Sequence, residues 1–178
     1  MKYEAGSFAT ETTAQHSSVS IIIVAFNRRE DLRICLRSVE RQTYPNLETI
    51  VIDNGSTDGT VKAIPREFPW VKFYSAAGNL GACIARNTAV QLSAGRYLWF
   101  LDSDTEIVDD GLACQLVENF QNDPRLGAIG GEAVLDGTGG IIGTKRLMLE
   151  RNGTIRGEFL LDVPFGELVH TDTLASCN

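Results

Sequence analysis

Two aspartates, Asp102 and Asp104, stand two residues apart at the end of the apolar run Tyr97-Leu-Trp-Phe-Leu101. In an extended backbone that spacing turns both carboxylates to one side. Two like charges so close repel unless a cation sits with them. Hard divalent ions such as Mg2+ or Mn2+ take oxygen ligands and fill the rest of their shell with waters or substrate phosphates. The pair is therefore a candidate metal site, with Ser103 between them as a small residue that fits the turn. Asp53 closes a second apolar run, Leu47-Glu-Thr-Ile-Val-Ile52, and opens the polar cluster Asp53-Asn-Gly-Ser-Thr-Asp-Gly59. A carboxylate fixed at a strand end can accept a ring N–H of a nucleotide base. The same cluster also reads as a turn in which Asp58 caps the next helix. Ala25-Phe26-Asn27 follows a third such run, and Phe26 is placed either to stack on a base or to join the core. Arg86 lies about 100° round a helix from the stripe through Ala85 and Ala89, so it points to a bound nucleotide or to solvent.

Several chemistries lack their residues. There is no Gly-x-Ser-x-Gly, no Gly-x-x-x-x-Gly-Lys-Ser/Thr and no Gly-x-Gly-x-x-Gly after the first apolar run. His16 and His170 have no Ser or Cys partner at motif spacing. Cys35, Cys83, Cys114 and Cys177 form no Cys-x-x-Cys pair, which argues against zinc or a disulfide framework and for a reducing cytoplasm. The 178 residues carry a net charge of −7, which argues against a nonspecific nucleic-acid or anionic-membrane binder, so any anionic ligand has to be held locally. Residues 1–18 contain no apolar run and read as a flexible leader, and nothing approaches the ~20 apolar residues of a membrane span. The expected location is cytoplasmic, which leaves room for peripheral association at the inner face of the membrane. Asn152-Gly153-Thr154 fits a glycosylation sequon but, without a secretory signal, reads as a turn.

Certain elements must position these residues. Val19 to Ala25 is a nearly unbroken β-branched run, the pattern of a strand buried on both faces of a parallel sheet. Asn27 with Glu30 predicts a capping box for a helix over 28–42, marked by Leu32, Cys35, Leu36 and Val39. Further strands are predicted at 47–53, 71–75, 97–101 and 128–135. Helices are predicted from Asp58 to near Pro65, from about Leu80 to near Gly95, and from Leu112 to Pro124. Alternating strands and helices predict a mostly parallel Rossmann-like sheet with right-handed crossovers and helices on both faces. Ligands bind such sheets beyond the carboxyl ends of the strands, where all three polar clusters fall. Residues 19–135 form the expected binding domain, and 136–178, glycine-rich at first, the start of a further region.

In this order and spacing, Val19-Ser-Ile-Ile-Ile-Val-Ala-Phe-Asn27, Leu36-x-Ser-Val-x-x-Gln-Thr43, Asp53 to Gly59, Gly78-Asn-Leu-Gly81 with Ala85-Arg-Asn87, and Phe100-Leu-Asp-Ser-Asp104 resemble the nucleotide-sugar half of a family 2 glycosyltransferase with the A-type fold. The resemblance covers about 19–135. It implies inverting, divalent-metal-dependent transfer of a sugar from a nucleoside diphosphate sugar to a glycan, lipid-linked or protein acceptor, as in cell wall or polysaccharide synthesis. Uridine is the favoured base, with deoxythymidine next. By position, the resemblance makes Asp53 the base contact, Ala25, Phe26, Asn27, Arg86, Asp102 and Ser103 nucleotide contacts, and Asp104 with Asp102 the Mn2+ or Mg2+ ligands. Family members carry their general base in a continuation past a segment like Leu174-Ala-Ser-Cys-Asn178, and Asp162, Glu167 and Asp172 match no motif that would supply it. The expectation is thus a truncated chain that binds donor and transfers sugar poorly.

Three rivals remain. A noncatalytic nucleotide-sugar-binding module would share every motif. A haloacid dehalogenase-type phosphatase also uses Asp-x-Asp after a strand, but wants Thr or Val where Glu106 stands. A sugar-phosphate nucleotidyltransferase would need a Gly-rich loop in place of Ala25-Phe-Asn-Arg-Arg29.

Overall fold

The computed structural model describes residues 18–130 and, beyond them, the backbone of 133–134, 141–142, 145–149 and 155–159. Residues 1–17 of the leader, the sequon, His16, His170, Cys177 and the carboxylates at 162, 167 and 172 lie outside the described residues. The chain divides into two compact units, Met1–Val117 and Glu118–Asn178.

The first unit is built on four parallel strands. They are β1 (Val19–Ala25), β2 (Leu47–Asp53), β3 (Lys72–Ser75) and β4 (Tyr97–Asp102), in the order β3-β2-β1-β4. The helices α1 (Arg29–Glu40), α2 (Thr60–Glu67) and α3 (Ala82–Leu92) lie between them in sequence, and α4 (Leu112–Asn122) runs on into the second unit. β1 explains the arrangement. Its Ile21, Ile23 and Ala25 pack with Leu32, Cys35 and Leu36 of α1 and Ile64 of α2, whereas Ile22 packs with Ala85 and Ala89 of α3. A strand with buried apolar side chains on both faces can face water on neither side, so helices cover both. Each fully buried isoleucine contributes roughly 1.5–3 kcal/mol. α1 shows buried residues at 32, 35, 36 and 39, the helical stripe read from the sequence.

Register fixes where the strands end. Ala25 pairs with Asp53, Asp53 with Ser75, and Val24 with Asp102, so all four carboxyl ends lie along one edge.

Four local expectations are corrected. Asn27 does not cap α1: it sits at φ 53, its Oδ1 accepts the Thr57 amide at 2.8 Å, and Arg28 takes the cap position without a side-chain bond. The first amide of α1 is satisfied from another loop, Arg29 N donating to Asp58 Oδ2 at 3.0 Å. α2 continues through Pro65 to Glu67, because losing one N–H does not prevent Phe68 N from closing on the Ile64 carbonyl at 2.9 Å. α3 stops at Leu92, with Ser93 already extended. Of the strand expected over 128–135, residues 128–130 are irregular and Ala133–Val134 form β5, which pairs antiparallel with β6 (Ile141–Ile142); 131, 132 and 135 lie outside the described residues. Gly127 and Gly130 flank the short apolar stretch Ala128-Ile129, and glycine weakens a strand interior. The second unit also holds the antiparallel pair β7 (Lys145–Leu149) and β8 (Ile155–Phe159). No helix among the described residues is long and apolar enough to cross a membrane.

Candidate functional site

Asp53 is the last residue of β2 and is fully buried. Its Oδ2 accepts two hydrogen bonds, from the Ser56 amide at 3.0 Å and the Ser75 hydroxyl at 3.1 Å. Its Oδ1 has no partner among the described residues and is closed off from solvent, so a ligand has to part its cover to reach it. A buried acceptor left without a donor costs about 1–3 kcal/mol, a deficit that a ligand N–H would remove.

The surrounding loops are locked to one another. Asn54 N donates to the Ala25 carbonyl at 2.8 Å, Asn54 Nδ2 to Asn79 Oδ1 at 2.9 Å, and Leu80 N to Asn54 Oδ1 at 2.9 Å. Gly55, at φ 87, lies so close to Gly78 that a β-carbon on it would come within 2.7 Å of the Gly78 Cα. Asn27 N donates to Ser56 Oγ at 2.8 Å, tying the end of β1 to the same loop. Asp58 bridges two helix starts, its Oδ1 accepting Thr60 N at 3.1 Å and its Oδ2 accepting Arg29 N. Burial would raise the Asp58 carboxyl, but these bonds outweigh it and hold it below its ordinary value.

The structure corrects the geometry expected of the two acidic residues. β4 ends at Asp102, and Thr105 N donates to its carbonyl at 3.0 Å, so the chain turns there and 102–104 is not extended. Each carboxylate meets its own arginine. Arg86 Nη2 of α3 donates to Asp102 Oδ1 at 2.8 Å, and Arg28 Nη1 lies 3.3 Å from Asp104 Oδ2 and 3.2 Å from Asp31 Oδ2. α3, which carries Arg86, and α1, which Arg28 precedes, pack on opposite faces of the sheet. Arg28 lines an open hollow of about 250 Å3 together with Asn27, Arg29, Glu30, Asp31 and Asp58. Two carboxylates suit a hard divalent ion that brings waters and phosphate oxygens for its other positions. The described residues gather no group of three or more His, Cys, Asp or Glu able to hold an ion alone.

The other expected residues fall as follows. The Ala25 side chain is in the core and its carbonyl is used by Asn54; Ser103 is buried; Phe26 is 43% exposed just past β1. Cys35, Cys83 and Cys114 are free thiols. Burial pushes the Cys35 thiol up to about 12, with Asp104 and Asp102 adding to it, so it acts as an apolar side chain. The sequence reading missed Arg28, Asn54, Ser56, Ser75 and Asn79. Asn54, Ser56 and Asn79 stood inside the motifs already quoted, but no local signal marks Ser75, whose role appears only when β3 pairs with β2.

The model of the glycosyl transferase family 2 domain matches residues 20–170. The chain belongs to glycosyl transferase family 2. Membership removes the phosphatase and nucleotidyltransferase readings. Among its relatives, this family 2 chain is 37% identical over 94 residues to the glycosyltransferase YibD of Escherichia coli (strain K12), which is 51% of this chain and 27% of that protein. It is 31% identical over 132 residues to a poly-beta-1,6-N-acetyl-D-glucosamine synthase of Staphylococcus epidermidis, covering 72% of this chain and 32% of the synthase. The matched part thus spans about a third or less of these relatives' length. Among solved structures, mannosyltransferase PcManGT from Pyrobaculum calidifontis, in complex with GDP-Man and Mn2+, superposes with a TM-score of 0.58 at 26% identity over 64% of this chain and 35% of that one. S. aureus TarS 1-349 in complex with UDP gives 0.55 at 24% identity over 59% and 32%, a likeness of fold.

Proposed function

We propose that this family 2 chain forms the donor side of an inverting glycosyltransferase. It takes a nucleoside diphosphate sugar, a UDP-sugar first and a dTDP-sugar next, together with a divalent metal, and serves transfer to a glycan, lipid-linked or protein acceptor. The observation that carries the reading is the unpartnered Asp53 Oδ1 at the carboxyl edge of the sheet, one strand from β1 and two from the arginine-held Asp102. Asp53 would accept the base N–H, Phe26 would lie against the ring, and Arg86 would bear on the ribose and diphosphate. Asp104 and Asp102 would hold Mn2+ or Mg2+, which supplies charge neutralisation for the departing diphosphate. GDP-Man with Mn2+ on a neighbour of the same fold supports both the ligand class and the metal. Residues 19–135 are the proposed donor-binding part and 136–178 the start of the acceptor side.

A thermal-shift panel tests this. UDP, dTDP, GDP and ADP are each added with Mn2+ or with excess chelator to wild type and Asp104→Ala. A diphosphate at about 100 times its Kd stabilises the native state by about 2.7 kcal/mol. The expected result is stabilisation by UDP that needs the metal and disappears in Asp104→Ala. No stabilisation by any diphosphate overturns the reading.

A further inference from the structure

The two oxygens of Asp53 are not equivalent. Oδ2 is filled by the Ser56 amide and the Ser75 hydroxyl, and a carboxylate oxygen accepts about two hydrogen bonds. Oδ1 meets no donor among the described residues. A ligand therefore meets one available oxygen rather than a fork of two. Ser75 is the directly registered neighbour of Asp53 on β3, so its hydroxyl is brought to Oδ2 by strand pairing itself. Its other acceptor, the Ala76 carbonyl, is farther, at 3.5 Å.

That asymmetry bears on which base fits. Guanine presents two parallel donors on its pairing edge, N1–H and the exocyclic N2–H, and such a pair is matched by both oxygens of a carboxylate. Uracil and thymine present a single N3–H between two carbonyls, which one free oxygen satisfies. We infer that Ser75 is a specificity-determining positioning residue: by occupying Asp53 Oδ2 it leaves Asp53 a one-oxygen acceptor, which selects imide bases, uracil or thymine, over guanine. The inference rests on the donor-site reading above. It separates this chain from a fold neighbour that holds GDP-Man, and it assigns to β3 a role that none of the sequence motifs carries.

The Ser56 contact comes from backbone and survives any substitution at 56 that keeps the loop. The Ser75 contact comes from a hydroxyl on a solvent-exposed position, so it can be removed without opening the core. Ser75→Ala frees one acceptor site on Oδ2 for a second donor, whereas Ser75→Thr keeps the hydroxyl.

The test is a set of calorimetric dissociation constants for UDP, dTDP and GDP, each with Mn2+, on the full chain as wild type, Ser75→Ala and Ser75→Thr. Wild type is expected to bind UDP and dTDP at least about tenfold more tightly than GDP. Ser75→Ala is expected to shrink that preference by about tenfold, the weight of one hydrogen bond to a charged group. Ser75→Thr is expected to keep it. Equal binding of GDP and UDP by wild type overturns the inference and leaves the donor site standing. So does an unchanged preference in Ser75→Ala, or a preference lost equally in Ser75→Thr. If no diphosphate binds wild type, the donor-site reading falls and this inference with it.

Discussion

Arg86 on α3 donates from Nη2 to Asp102 Oδ1, the last residue of β4, at 2.8 Å, and both side chains are about two-thirds buried. A pair at that depth is screened less than a surface ion pair and gives up less solvation than a fully buried one. It also holds one carboxylate of the Asp-x-Asp against a fixed cation. On the proposed reading, a divalent ion held by Asp102 would compete with the guanidinium, and Arg86 would then be free to bear on the diphosphate. Arg86→Met, which keeps the stem and removes the charge, is expected to cost about 1 kcal/mol of stability. It should bind Mn2+ alone several-fold more tightly and UDP with Mn2+ about tenfold more weakly. Calorimetry with metal alone and with metal plus nucleotide reads both. A variant whose Mn2+ affinity does not move would place Asp102 outside the metal's reach.

The sheet and its loops were readable because they follow from short-range pattern. Val19 to Ala25 and Leu47 to Asp53 are runs too apolar for anything but buried strands, and chain direction then places Asp53 and Asp102 on one edge. The helix starts were not readable in the same way. Asn27 and Glu30 have the spacing of a capping box, yet Asn27 is recruited by Ser56 and Thr57, and Arg29 N is satisfied by Asp58, 29 residues away. A capping motif describes a helix that must satisfy its own amides, and here a second loop is close enough to do it. The same limit hid Arg28 and Ser75, whose partners Asp104 and Asp53 are neighbours only through the sheet.

The approach of Gly55 to Gly78 leads to a second prediction. At φ 87 any side chain on residue 55 is strained, by roughly 1–2 kcal/mol for the left-handed region. Its β-carbon would also meet backbone, not a side-chain tip that could move aside. Gly55→Ala is therefore expected to lose at least about 2 kcal/mol and to displace the loop that gives Asp53 its Ser56 amide. Gly59, at φ 91, meets only the Arg29 Nη1 at 3.1 Å, the end of a flexible side chain. Gly59→Ala should lose about 1 kcal/mol and bind UDP nearly as wild type does. Urea midpoints and UDP titrations on the two variants separate strain from site damage. Equal loss of UDP binding in both would show that the Gly55–Gly78 contact has no special bearing on the site.

At the opposite edge of the sheet, Glu48 joins three strands and the turn before β4. One of its carboxylate oxygens accepts the Ser20 hydroxyl and, at 2.6 Å, the Ala94 amide, while the other accepts Lys72 Nζ at 2.6 Å. Burial alone would raise this carboxyl; the bonds from Lys72, Ser20 and Ala94 outweigh it and bring it from 4.5 down to about 2. Because the folded value lies below the unfolded one, the unfolded chain binds the proton first as pH falls. The stabilisation is complete above about pH 5 and is lost progressively down to about pH 2. At 1.36 kcal/mol per unit the shift corresponds to about 3 kcal/mol, and the half-exposed Lys72 reduces this to about 2. Glu48→Gln keeps the shape and cannot titrate, so it should be about 2 kcal/mol less stable at pH 7, and the gap should close as pH drops below 4. Glu30, Glu67 and Asp58, also held below their ordinary values, titrate alike in both proteins and cancel in the difference. Urea midpoints from pH 7 to 2.5 measure it, and a gap that stays constant with pH would mean that the network holds Glu48 by shape rather than by charge.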